Sequence, residues 1–132
     1  MIYTSYYGMA NKLVSQNIKP IRISLYSPKY IKKGIIVDSI PSLYPTKDML
    51  ELDLNDEVQR NEYCDKYEAI IKKFDIQIIL DLERKHQNIA LMCYEKEFEN
   101  CHRWDVGMLL YTNKIKVLEY PDIQYDGYAN LI

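Results

Sequence analysis

Apolar residues in this chain fall in short runs, broken by proline, glycine and charge. Ile2-Tyr3-Thr4-Ser5-Tyr6-Tyr7 is β-branched and aromatic and stops at Gly8, which predicts a first strand. So close to the start, it is expected to be central or near-central in a sheet and to tie the terminus down. Met9 to Gln16 reads as a short helix or an irregular connection. Ile21 to Tyr26, bounded by Pro20 and Pro28, predicts a second strand. Ile31 to Pro45 carries Gly34, Pro41 and Pro45 and reads as an irregular loop, long enough to suggest that it covers a site.

Thr46 is an N-cap candidate for a helix opening on Lys47 to Leu50. From about Asn55, Val58, Tyr63, Tyr67, Ile70, Ile71 and Phe74 recur at helical spacing and predict one apolar stripe. Ile76 to Leu80 is β-branched enough for a strand, but the charged Asp81 to His86 that follows favours a helix. Ile89 to Tyr94 is a continuous apolar run, as in a strand buried on both faces. Cys101 to Tyr111 reads as a helix, Lys114 to Glu119 as a last strand ended by Pro121, and the rest as a polar, tyrosine-rich tail. The strand–helix–strand unit from Ile89 to Leu118 predicts a parallel crossover, hence an α/β fold with helices layered on a mostly parallel sheet. Ligands in such sheets bind at the carboxyl ends of strands. That places Ser5 to Tyr7, Tyr26 to Pro28 and Cys93 to Glu95 in view.

The chain has 132 residues, enough for one domain but not for two with sound cores. A net charge of −2 gives no global field toward nucleic acid, though a local basic patch stays open. Lys29, Lys32 and Lys33 read first as a solvated loop face, with phosphate contact as the alternative. Three cysteines form no spaced disulfide framework, and no secretory leader opens the chain, so a cytoplasmic protein is expected whose cysteines remain thiols, act in catalysis or hold a metal. Apolar runs fall far short of the roughly 20 residues that span a bilayer, so no membrane is expected as a partner. Thirteen tyrosines stand against two phenylalanines. Genome codon bias explains that count, and so does a tyrosine-lined binding surface.

The candidate chemistry lies between the run ending at Cys93 and the helix beginning near Cys101. Cys93 and Glu95 share a side if the strand continues through them. Asn100 as N-cap would put Cys101, His102 and Arg103 in a first turn, where unpaired N–H groups favour anions and lower a thiol's pKa. Three readings fit. Cys93 or Cys101 is a nucleophile, with His102 or Glu95 moving protons. Alternatively Cys93, Cys101 and His102 bind a metal, although adjacent Cys101 and His102 ligate one tetrahedral ion awkwardly. Or the cluster is structural, with cysteines as small hydrophobes. Arg103, Ser5, Ser24 and Tyr26 are the candidate ligand contacts, with Arg103 as a bidentate partner for phosphate or carboxylate. Tyr63 and Tyr67 read as core. No glycine-rich phosphate loop appears, and neither a metal nor a cofactor is assigned.

Four stretches together resemble the domain-of-unknown-function 488 family. They are Tyr3-Thr4-Ser5-Tyr6-Tyr7, Ile23-Ser24-Leu25 leading to Pro28, Leu43-Tyr44-Pro45-Thr46, and Leu91-Met92-Cys93-Tyr94-Glu95-Lys96 with Cys101-His102-Arg103. The last is the specific one. The resemblance implies a single α/β, Rossmann-like domain over residues 1–132 with those polar groups gathered at one edge. It implies no settled activity; similar members occur in bacteria, archaea and their viruses, which leaves a role in host–virus conflict open. The expectation is a domain that binds a phosphate-bearing nucleotide or nucleic-acid group at the Cys-x-Glu and Cys-His-Arg residues, with or without thiol chemistry. The alternative is a non-catalytic module for a protein partner, in which the same cluster is structural.

Overall fold

The computed structural model describes residues 1–96, 102–121 and 123–125. The strands are β1 (Ile2–Tyr6), β2 (Lys19–Arg22), β3 (Asp38–Ser39), β4 (Ile89–Cys93), β5 (Val117–Glu119) and β6 (Ile123–Gln124). The α-helices are α1 (Ala10–Ser15), α2 (Lys47–Leu50), α3 (Glu57–Lys73), α4 (Gln77–His86) and α5 (His102–Thr112). They form one sheet in the order β3-β2-β4-β1-β5-β6, parallel except for the β5–β6 pair.

β4 shows why the sheet is covered on both faces. All of Ile89 to Cys93 is buried. Ile89 and Leu91 pack into a core with Tyr67 of α3, Ile79 of α4 and Val106 and Leu110 of α5. Ala90 and Met92, pointing the other way, pack with Ala10 and Leu13 of α1. The β1–α1–β2 and β4–α5–β5 connections run in opposite directions along the sheet and place their helices on opposite faces. One common handedness of crossover requires that arrangement. Between β1 and β4 the connections therefore diverge, and the carboxyl ends of these two strands form the switch point of the sheet.

Several boundaries differ from the sequence reading. β2 begins at Lys19 and leaves the ladder after Arg22, rather than spanning Ile21 to Tyr26. Pro20 is accommodated because its backbone faces the short edge strand, where its carbonyl accepts from Val37 N at 3.1 Å. Val58, expected on the apolar stripe of α3, is 77% exposed. Ile76 to Leu80, by contrast, is helical as expected, with Ile76 capping α4 and the charged Asp81 to His86 continuing the same turns. The tail contributes a short antiparallel strand, and Tyr125 just beyond it is buried. Asn100 and Cys101 lie outside the described residues, so the expected N-cap is not among those described. Among the described residues no helix is long and apolar enough to cross a membrane.

Candidate functional site

A cleft of about 200 Å³ opens at the carboxyl ends of β2 and β4. Ser24, Tyr94, Glu95 and His102 supply its polar lining, with Tyr26 at its edge. Pro45, Met49, Leu50, Leu52, Leu54 and Tyr63 form an apolar wall. Pro45 ends the long loop, Met49 and Leu50 belong to α2, Leu52 and Leu54 follow it, and Tyr63 comes from α3. Four of the expected site residues thus meet in one place: Ser24, Tyr26, Glu95 and His102.

Beneath the cleft stands Arg103, which is 0% exposed. Its Nε and Nη2 donate to the Glu119 carboxylate at 3.0 and 2.9 Å. Nη1 donates to Cys93 Sγ at 3.0 Å and also to the Glu95 carbonyl. Nη2 reaches the Lys96 carbonyl at 3.0 Å. The guanidinium expected to grip a ligand anion instead grips Glu119 and the turn that carries Glu95. Thr4, opposite Glu119 in the β1–β5 register, donates to the same carboxylate at 2.7 Å, and its hydroxyl also meets that of Tyr125. A buried ion is tolerated only when its hydrogen-bonding capacity is met in this way.

His102 is buried at the amino end of α5, with Nε2 2.9 Å from the Ile23 carbonyl and its ring edge-on to Tyr67 at 5.2 Å. A carbonyl only accepts, so Nε2 carries the proton. Loss of solvation on burial holds the imidazole pKa down to about 4, the Ile23 hydrogen bond opposes that, and Arg103 adds to it. His102 is therefore neutral at pH 7.

Tyr7, at the end of β1, closes the switch point. Its hydroxyl is 2.5 Å from Ser24 Oγ, which donates to the Tyr26 carbonyl at 2.8 Å. Tyr94 donates to that same carbonyl at 3.0 Å and sets its ring edge-on to Tyr7 at 4.9 Å. Burial raises the Tyr7 pKa well above the usual phenol range, so it stays protonated as a donor. Ser24 thereby holds the β2 exit to the two tyrosines. Ser5 is buried on the α1 face beside Met92, its Oγ has no hydrogen-bond partner, and it does not line the cleft.

Cys93 is 1% exposed and disulfide-bonded, whereas Cys64 is free and exposed. Cys101, the other expected nucleophile, lies outside the described residues. The sequence reading missed Glu119, Thr4 and Tyr125, which complete the Arg103 cluster. A carboxylate closing a short apolar strand was the available signal. Tyr63, expected to face the core, packs against it half-buried and also lines the cleft. A larger hollow, of about 570 Å³, lies at the amino end of β5, with Lys114 and Lys116 as its charged lining. Its lining also includes Tyr125, whose hydroxyl joins the Arg103 cluster.

The family model DUF488-N3a, described as the active DUF488-N3 subclade, matches residues 5–114, a span that contains the whole cleft. No curated protein and no solved structure matches the chain.

Proposed function

The chain belongs to the DUF488 family, and we propose that its cleft binds the base of a phosphate-bearing nucleotide, with Glu95 as the group placed for proton transfer. The observation that carries this reading is the lining itself. One wall is aliphatic and aromatic, and the facing side offers a carboxylate, a neutral imidazole and a tyrosine. Flat, uncharged rings with hydrogen-bonding edges suit such a surface. At about 200 Å³ the cleft is below the ~300 Å³ floor of whole-ligand sites, so it accommodates one part of a nucleotide.

In this reading Glu95 faces the ligand, and Arg103 and Cys93 are positioning residues. Arg103 donates to the Glu95 carbonyl and to Cys93 Sγ, and so fixes the turn from below. A thiol reaction at Cys93 is disfavoured by its burial and its disulfide. Description of the matched subclade as active supports a site with chemistry over a purely structural cluster.

Calorimetric titration of the full chain with nucleosides and nucleoside monophosphates tests the proposal. Saturable binding is expected, weakened by Tyr94→Ala and Glu95→Gln while the fold is retained. Absence of binding by every such compound overturns it. A second reading has one observation in its favour: Tyr26, Tyr30 and Tyr94 are 56, 68 and 44% exposed. Such a patch fits a protein partner, and a partner that buries it while leaving nucleotide binding absent would establish that alternative.

A further inference from the structure

We propose that a second site, a basic groove at the carboxyl ends of β2 and β3, holds the phosphate of the nucleotide whose base occupies the cleft. The inference rests on the base-binding reading for its ligand, although the groove stands on its own residues. The groove, of about 320 Å³, is lined by Arg22, Ser27, Lys32, Lys33, Gly34 and Ser39. Arg22 and Ser39 end their strands side by side in register. This is where parallel sheets place their ligands. The extended segment from Arg22 to Pro28 borders both sites, with Ser24 to Tyr26 on the cleft and Ser27 and Pro28 on the groove.

Arg22 is held ready rather than used. Its guanidinium carbon sits 4.7 Å above the centre of the Tyr44 ring, and Nη2 makes a long contact of 3.3 Å with the Leu25 carbonyl. Its Nε is buried and has no hydrogen-bond partner. Buried donors are almost always paired, and an orphaned guanidinium N–H beside a cavity fits an oxyanion, which arginine takes in bidentate fashion. Lys32 and Lys33 are exposed at the rim and form no ion pair among the described residues. Gly34 has a φ of +95° and open space where a side chain would stand, which leaves room over the loop. One carboxylate, Asp38, also lines the groove. It is compensated by Lys85 at 3.4 Å, by His86 at 3.5 Å and by the Ser39 N–H at 3.1 Å. The remaining charge of the groove is positive.

The experiment is an amide and arginine Nε–H correlation spectrum of the full chain, titrated with inorganic phosphate at constant ionic strength. A saturable shift of the Arg22 Nε–H and of the Gly34 and Ser39 amides is expected. Lys32→Ala with Lys33→Ala, both exposed and safe for the fold, should weaken it roughly tenfold, and Arg22→Gln should abolish it. A linear, unsaturating response, or one that the lysine pair leaves unchanged, overturns the groove. Adenosine and cytidine, which carry no phosphate, report separately on the cleft through the Tyr94 and His102 amides. Failure of the nucleosides alone would therefore indict the cleft and not the groove. In the wild type a nucleoside monophosphate should bind more tightly than its nucleoside, and the gain should vanish in the lysine pair. Equal binding of the two in the wild type overturns the proposed link between groove and cleft.

Discussion

Arg103 and Glu119 face each other as a buried, two-pronged ion pair, 3.0 and 2.9 Å apart, at the carboxyl ends of the sheet. Thr4 and Cys93 hold the remaining sides. Removing one partner of such a pair leaves an uncompensated charge in the interior, which costs about 3–5 kcal/mol. Arg103→Met and Glu119→Leu should each lower the urea midpoint by that equivalent. The double substitution should lose less than the sum, because neither charge is left behind. Additive losses in a double-mutant cycle would show that the two side chains act independently.

His102 predicts a pH dependence of stability. Its folded pKa of about 4 lies below the unfolded value of 6.5. Between those values the unfolded chain binds a proton that the folded chain does not, so stability falls as pH drops from 6.5 toward 4 and levels off below. The loss approaches about 3 kcal/mol. His102→Gln should flatten this part of the curve in denaturant melts across the range. An unchanged slope would assign it to other groups.

Gly107 lies inside α5, where alanine normally gains about 1 kcal/mol. Here a Cβ would stand inside the ring of buried Tyr125. Overpacking of this kind costs about 1–3 kcal/mol, so Gly107→Ala should destabilise the chain. In a Tyr125→Ala background the same change should become neutral or stabilising. Thermal melts of the four-member cycle measure the sign, and a destabilisation that persists without the Tyr125 ring would place the strain elsewhere.

Alkylation followed by mass spectrometry should separate the cysteines. Cys64 is exposed, and desolvation with nearby Asp105 and Asp65 raises its pKa, so it should label faster as pH rises. Cys93, buried and bonded, should stay unlabelled even in the unfolded chain until reductant is added. Native labelling of Cys93 at the rate of Cys64 would reopen the nucleophile reading.

Much of the sheet was legible because β4 and β1 are unusual strings. Ile89 to Cys93 is apolar at every position, as only a strand covered on both faces needs to be, and Ile2 to Tyr6 is β-branched and aromatic next to the start. Tyr26 and Glu95 were legible for a related reason, since residues past strand ends fall at the carboxyl edge, and His102 because it opens the helix that follows β4. The role of Arg103 was not legible. Its partner Glu119 lies on β5, and the return of the chain from α5 into the sheet leaves no local spacing to read. Orphaned Arg22 was hidden for the same reason: its surroundings come from Tyr44 and a distant loop. The early end of β2 escaped because Ile23 to Tyr26 is apolar enough for a strand, yet bends away toward Tyr7 and Tyr94.

The cleft bounded by Ser24, Tyr94, Glu95 and His102 is proposed to receive the base of a nucleotide. The most direct measurement is a residue-resolved amide titration of the full chain with adenosine, repeated with Glu95→Gln. Saturable shifts are expected, concentrated at Ser24, Leu25, Tyr94 and His102, with affinity reduced in the variant. No shifts, or shifts centred on the hollow by Lys114 and Lys116 instead, would contradict it.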